Sequence, residues 1–496
     1  MQLLFSTAKD NSQTFSVDGV FFHSTYSPSK EADRFLQSIN FTFNPDLILF
    51  VEPGLNYYSE IIKKKFPQCK TLCLRLFEQP LGDETNWDYC IKYSENINLK
   101  LFLIKNFGEE KLLSSTIIIT KQAENLFKDQ INQIILQYKN ALEDSKTLLV
   151  TRQFFEKKWL LNSCNFIKYA KSFCDTKIKT DLPVLVCASG PSLFSAIPVI
   201  KSILDKCFII SLSSATSVLL HNNIIPDFVL STDGGWWAGE HLKSLKKHKE
   251  IPLAAPCEAF IQKTILKNNP ILCLEYDDSS SFVSAQILEK ANIIGLPVLR
   301  NPTVSGTALS FAKAITQNKI YFCGLDLASG KGQQHTKPNE IEKDNNIKDF
   351  RIKNTETRTA FSRYNSGSLN IYRDWFCEQE AVSNVYRVID LEKSNQKQLG
   401  KIKDISPKDF FKQFEQLAAS PKTKLYFQEK QSKQNNSVID FICDRLTTPE
   451  WQKQIFPADF ISLKNCTDEN QKKNLEERLS AKIENLTAKI RKLCDE

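Results

Sequence analysis

Along most of the chain, short apolar runs rich in β-branched residues alternate with stretches whose apolar positions recur at helical spacing. Between Leu182 and about Asp390 this predicts strands at Leu182–Cys187, Cys207–Leu212, Phe228–Thr232, Pro252–Ala255, Ile271–Glu275, Pro297–Leu299 and Ile320–Leu325. Helices are predicted after Ser192, over Ala215–His221 and over Val304–Ile315. Strand and helix in alternation point to a doubly wound, mostly parallel, Rossmann-like sheet. The first ~110 residues predict a smaller α/β unit, with strands at Gly19–His23, Asp46–Val51, Lys70–Leu76 and Leu99–Ile104 and helices over Lys30–Phe35 and Asn56–Phe66. Its Glu52-Pro53-Gly54 turn lacks a dinucleotide fingerprint and is expected to be structural or acceptor-facing. Lys121–Thr176 is helical in pattern, with Ala123, Phe127, Ile131, Ile134, Ile135 and Tyr138 on one stripe; Phe154, Phe155 and Trp159 are expected in its core.

Beyond Asp390 the apolar content falls. Ser406 and Pro407 stand as cap and first residue of a helix to Leu417. Leu475, Leu479, Ile483, Leu486, Ile490 and Leu493 form a narrow stripe suited to a helix hairpin or short coiled coil, through which the chain could self-associate. The pattern divides the chain into an α/β N-terminal domain (1–115), a helical bridge (116–178), the central sheet domain (179–395) and a helical C-terminal region (396–496).

Composition narrows the class. With 42% hydrophobic and 25% charged residues, the 496-residue chain is globular and too long for one core. A net charge of +8, spread along the chain, suits an anionic small molecule or an acidic partner without specifying nucleic acid. The fourteen cysteines show no CxxC pair or zinc-like spacing, and several lie inside apolar runs. The apolar N-terminal run stops at Phe5, and no stretch is long enough to span a membrane, so a reduced cytoplasmic setting is expected.

Candidate chemistry collects at three strand ends, where ligands of open α/β sheets bind. The first carries Ser189-Gly190-Pro191-Ser192, a tight turn into a helix N-terminus that suits a phosphate. The second carries Ser231-Thr232-Asp233, Gly234-Gly235 and the Trp236-Trp237 pair, flat faces for a base or sugar ring. The third carries Gly324-Leu325-Asp326. Asp233 and Asp326 each want a hydroxyl, a cation or a helix N-terminus, for which ribose or sugar hydroxyls or magnesium would serve, and Ser305 and Thr307 open the helix that precedes the third strand. His335, on the loop after it, is the histidine best placed to act as a base. His221 reads as packed, whereas His241 and His248 fall in a basic surface run. Arg363, Tyr364, Asn365 and Arg373 are further anion contacts.

The stretches PVLVCASGPSL (Pro183–Leu193), IPDFVLSTD (Ile225–Asp233), Ser305–Ala328, the Tyr372–Trp375 helix start and the early HSTYSPSKEADRF (His23–Phe35) together resemble the bacterial motility-associated factors, the Maf-type flagellin glycosyltransferases. These share a domain with the MptE-like 6-hydroxymethylpterin diphosphokinases. The resemblance covers roughly residues 19–390 and implies a central domain akin to sialyltransferases. It further implies transfer of a nonulosonic acid (pseudaminic or legionaminic) from a CMP-sugar to Ser or Thr of flagellin, with the family's turn mapped onto Gly190, Pro191 and Ser192. Ser189 stands where sialyltransferase-like relatives often carry Asn. The alternatives are ATP-dependent diphosphate transfer to a pterin and a non-catalytic flagellin-binding assembly factor.

Overall fold

The computed structural model describes residues 2–79, 81–82, 84–94, 97–276, 281–327, 335–348, 367–390, 398–430 and 435–495. The chain divides into two units, Met1–Glu156 with Thr448–Asn485, and Lys157–Thr447 with Leu486–Glu496.

In the first unit, β1 (Leu3–Thr7), β2 (Gln13–Val17) and β3 (Val20–Phe21) form a small antiparallel sheet. The strands β4 (Leu47–Val51), β5 (Lys70–Arg75), β6 (Tyr89–Lys92) and β7 (Ser115–Ile119) form a parallel sheet in the order β6-β5-β4-β7. Every residue of β4 is buried, as its unbroken apolar run requires. The run expected as a strand at Leu99–Ile104 is instead the start of a helix, Leu99–Leu113. Leu99, Leu103 and Phe107 follow at four-residue steps and are all buried, and the Asn98 side chain caps the helix by accepting from the Leu101 N–H. Helical burial outweighs the β-like look of the shorter window.

The helix Lys128–Tyr169 contributes its first part to this unit and its last part to the other. Its buried stripe runs through Ile131, Ile134, Tyr138, Ala141, Ser145, Leu149, Glu156, Leu160, Ser163 and Ile167. Phe154 falls off that stripe and is 57% exposed, so its expected core role is not realised. Phe155 and Trp159 are half-buried.

In the second unit the strands are β8 (Ser172–Cys174), β9 (Val184–Cys187), β10 (Phe208–Leu212), β11 (Phe228–Leu230), β12 (Leu253–Pro256), β13 (Ile271–Tyr276), β14 (Leu296–Val298), β15 (Ile320–Cys323), β16 (Val385–Val388), β17 (Lys403–Ile405) and β18 (Phe427–Glu429). Among the described residues they form one sheet in the order β17-β16-β15-β9-β10-β11-β12-β13-β8-β18, with β14 also on β13. All neighbours are parallel except β18 on β8. The doubly wound α/β architecture read from the sequence is borne out. Alternation within β9 sends Val184 and Val186 into one apolar layer and Leu185 and Cys187 into the other. The described cysteines are free thiols, and Cys187, Cys207, Cys273 and Cys323 are buried as expected.

Ser406 caps the helix Pro407–Glu415 by accepting from the Asp409 N–H. The C-terminal stripe lies on one helix, Glu469–Asp495, and Leu479, Leu486 and Ile490 are buried by the chain itself. Among the described residues no helix is long and apolar enough to cross a membrane.

Candidate functional site

The strand order reverses at β9. Its successor β10 lies on one side and β15 on the other, so the crevice beyond the strand ends opens at this switch point. Cys187 and Cys323 are register partners, which brings the Ala188–Ser192 turn alongside Gly324–Asp326. Gly190 N–H donates to the Gly324 carbonyl at 2.9 Å and Ala188 N–H to that of Cys323 at 2.8 Å. Gly324 has a φ of +77°, and a Cβ there would collide with the Ala188 carbonyl; a Cβ on Gly190 would strike the Asp326 carboxylate. These two glycines permit the close approach.

A cavity of about 200 Å³ lies here, lined by Ser189, Gly190, Ser214, Ser305, Asp326, His335 and Tyr372 among others. The sequence assigned the N-terminus of helix Leu193–Ser202 to a ligand phosphate. The structure puts the protein's own Asp326 there: this buried carboxylate accepts from the Ser192 N–H at 2.7 Å. The Ser192 hydroxyl is buried and finds no partner among the described residues. Two other helices begin on the cavity wall, Ser213–His221 at Leu212 and Ser214, and Val304–Ile315 at Thr303, Val304 and Ser305. Among the described residues neither has a side-chain cap, so their first N–H groups and positive dipole ends supply the anion-favouring potential.

His335 joins this cavity through its neighbours. Thr336 N–H donates to the Ser189 carbonyl and its hydroxyl to that of Gly190, both at 2.7 Å. His335 N–H donates to Glu342 Oε1 at 2.9 Å, and Nδ1 lies 3.5 Å from the same oxygen. Glu342 is fully buried. Asn339 caps the following helix and ties it to the Ser214 carbonyl at 2.8 Å. Ser214 donates to the Ser189 hydroxyl at 2.8 Å. Sequence reasoning missed Ser214, Asn339, Glu342 and Tyr372; of these, Ser214 at a strand-to-helix junction and Asn339 three residues before Glu342 carry local signals.

The second strand end is set apart. Asp233 is exposed and its Oδ1 accepts from the Gly235 N–H at 2.9 Å, capping its own turn. Gly234 packs under Trp159, and its carbonyl accepts from Asn162 at 3.2 Å. Thr232 and Thr307 turn to the buried Tyr276 hydroxyl, whose ionisation burial pushes well above its usual range. Pro191, Ser192, Thr232, Asp233, Gly234 and Thr307 do not line the cavity. Trp236 lines a different cleft, of about 670 Å³, with Trp237, Ser217, Glu240, Lys243, Asn339, Glu340 and Glu342.

Two histidines differ from expectation: His221, at a helix end, is exposed, whereas His241 is buried against Glu340 and the His335 ring. His241 Nδ1 lies 3.5 Å from Glu340 Oε2, and Ser217 donates to Glu340 Oε1 at 2.8 Å. Burial works against ionisation of Glu340, but these contacts prevail and hold it below the usual carboxylate range. Arg363, Tyr364 and Asn365 lie outside the described residues.

Residues 157–332 match the family described as 6-hydroxymethylpterin diphosphokinase MptE-like. An uncharacterised protein of Treponema pallidum (strain Nichols) is 28% identical over 301 residues, covering 59% of this chain and 64% of that protein; the chain thus spans under two thirds of this relative's length. In fold, the whole chain is similar to the MAf glycosyltransferase from Magnetospirillum magneticum AMB-1, with a TM-score of 0.52 at 12% identity over 93% of that structure. The resemblance to the MptE-like domain is thereby borne out over residues 157–332, and the resemblance to Maf-type proteins is borne out in fold.

Proposed function

We propose, from an MptE-like domain set in the fold of a Maf glycosyltransferase, that this chain transfers a sugar from a nucleotide-activated donor to a hydroxyl. The donor we infer is a CMP-activated nonulosonic acid and the acceptor a Ser or Thr of flagellin. The observation that carries the reading is the switch-point cavity, where two uncapped helix N-termini meet beside His335. Such a seat suits the phosphate that leaves with the bonding electron pair when the bond from the sugar's anomeric carbon breaks. The acceptor oxygen forms the new bond and His335 takes its proton. Glu342 fixes the backbone that carries this imidazole by accepting the His335 N–H. Asp326 holds the Gly190 turn through the Ser192 N–H. Among the described residues no cluster of three or more potential metal ligands occurs, and Asp326 is the cavity's one described carboxylate. A magnesium ion would therefore be held chiefly by substrate phosphates.

The MptE-like match itself favours a second reading, magnesium-dependent diphosphate transfer from ATP to a pterin. Thermal stability against CMP, CDP, UDP, ADP and ATP, with and without magnesium, separates the two. A nucleotide at ~100 times its dissociation constant stabilises by ~2.7 kcal/mol. Stabilisation by CMP is the expected result; a response to ADP or ATP alone, dependent on magnesium, transfers the assignment to the diphosphokinase. No response to any nucleotide removes both. His335→Ala should then lower transfer by ~10²–10⁴-fold while keeping the CMP response; full activity would exclude it as the base.

A further inference from the structure

The cleft of about 670 Å³ is unused by the chemistry above, yet it shares a wall with the cavity: Glu342 lines it while accepting the His335 N–H. Its volume lies within the range of ~300–1,000 Å³ usual for small-molecule sites, whereas the cavity's 200 Å³ lies below it. The cavity thus suits a phosphate-sized group, and the rest of a bound molecule must lie elsewhere.

At the cleft Trp236 is 58% exposed, braced edge-on by Trp237 with ring centroids 4.9 Å apart at 72°. An indole left open at a cleft wall presents an electron-rich apolar face to polarised C–H groups. Beside it stand Glu240 and Glu340, with Asn339 and Lys243. Glu340 is oriented by Ser217 and His241, and an ionised carboxylate has four acceptor positions, more than these two neighbours use. Three lysines and four carboxylates line it, so no single charge is favoured, and a phosphate would meet carboxylates.

We propose that this cleft is a carbohydrate subsite, in which a pyranose ring stacks on Trp236 and gives its hydroxyl hydrogens to Glu240 and Glu340. The inference deepens the sugar-transfer reading and rests on it only for which molecule carries the ring: the donor's sugar or an acceptor sugar.

Tryptophan fluorescence titrations with CMP, CMP-N-acetylneuraminic acid, free N-acetylneuraminic acid and methyl glucoside test it, using wild type, Trp236→Ala and Glu340→Gln, each checked for unchanged circular dichroism. If the donor's sugar is the occupant, CMP-N-acetylneuraminic acid binds about tenfold tighter than CMP, and both variants lose that margin while CMP affinity stays within about twofold. If an acceptor sugar is the occupant, the free sugars respond in wild type and not in Trp236→Ala, while CMP and the CMP-sugar bind alike. Either pattern supports the subsite. Sugar binding unchanged in both variants, or no response to any sugar, overturns it. Should free sugar bind through Trp236 while no nucleotide binds, the subsite stands and the nucleotide-dependent reading falls.

Discussion

The two parallel sheets of this protein end their central strands in similar ways and put those ends to opposite uses. In the first unit β4 runs into Glu52-Pro53-Gly54, and the fully buried Glu52 fills the space its own turn creates. Its carboxylate accepts from the N–H groups of Leu76 (2.6 Å), Phe77 (3.0 Å) and Gly54 (3.2 Å), and from Arg75 at 3.0 Å. Arg75 in turn donates to the carbonyls of Gly54 and Leu81 and to Glu84. Close by, His23 Nε2 accepts from the Leu55 N–H at 2.9 Å. In the second unit the Asp326 carboxylate occupies one helix N-terminus, but two more are left without side-chain caps around a cavity. A strand-turn-helix pattern therefore marks a place where anions are favourable. Whether a ligand can go there depends on how many anions the chain supplies itself.

Substitutions can break that contrast from either side. The largest effect is expected for Glu52→Ala, which takes from the buried Arg75 one of its two carboxylates and from three N–H groups their acceptor, and should cost the first unit about 3–5 kcal/mol in urea denaturation; a loss under 1 kcal/mol, about that of one ordinary hydrogen bond, would mean that the turn is held by packing instead. Next comes acid. Burial, followed by the nearby Arg75 charge, lowers the His23 pKa to about 4. The unfolded chain takes up this proton near pH 6.5 and the folded one only near 4, so stability present above pH 6.5 is lost as pH falls, by about 3 kcal/mol in all. Denaturation midpoints between about pH 7 and pH 4 should show this loss, and His23→Gln should flatten it. The smallest is Gly190→Ala, whose Cβ meets the Asp326 carboxylate and the Gly324 carbonyl; it should cost about 1–3 kcal/mol and abolish the nucleotide response. A retained response would place the anion seat away from this turn.

Much of the second unit was legible because a strand buried on both faces reads as an unbroken apolar run, and Val304–Ile315 follows helical spacing from end to end. β16 and the edge strands β17 and β18 were not, since short strands such as Lys403–Ile405 carry no run to read. Leu99–Ile104 misled because its first half is equally apolar in either conformation, and the deciding partner, Phe107, lies outside the window. At the site, Gly190, Ser305, Gly324, Asp326 and His335 could be named from strand ends and do line one cavity. What local pattern could not reveal is that Asp326 would reach across to the Ser192 N–H, or that Glu342 would fold back on His335. The first contact is set by sheet order and the second by the turn and helix that follow β15.

The first unit is built from two distant pieces of chain. Asn465 hydrogen-bonds to the Leu113 carbonyl and the Ser114 hydroxyl, and Gln153 accepts from the N–H of Ala458. During synthesis, residues 1–156 leave the ribosome long before 448–485 exist. The unit begun first is therefore finished only near the end of synthesis. For most of translation it must wait with the seats of its final helices open, a period in which a chaperone, or premature release, would decide its fate.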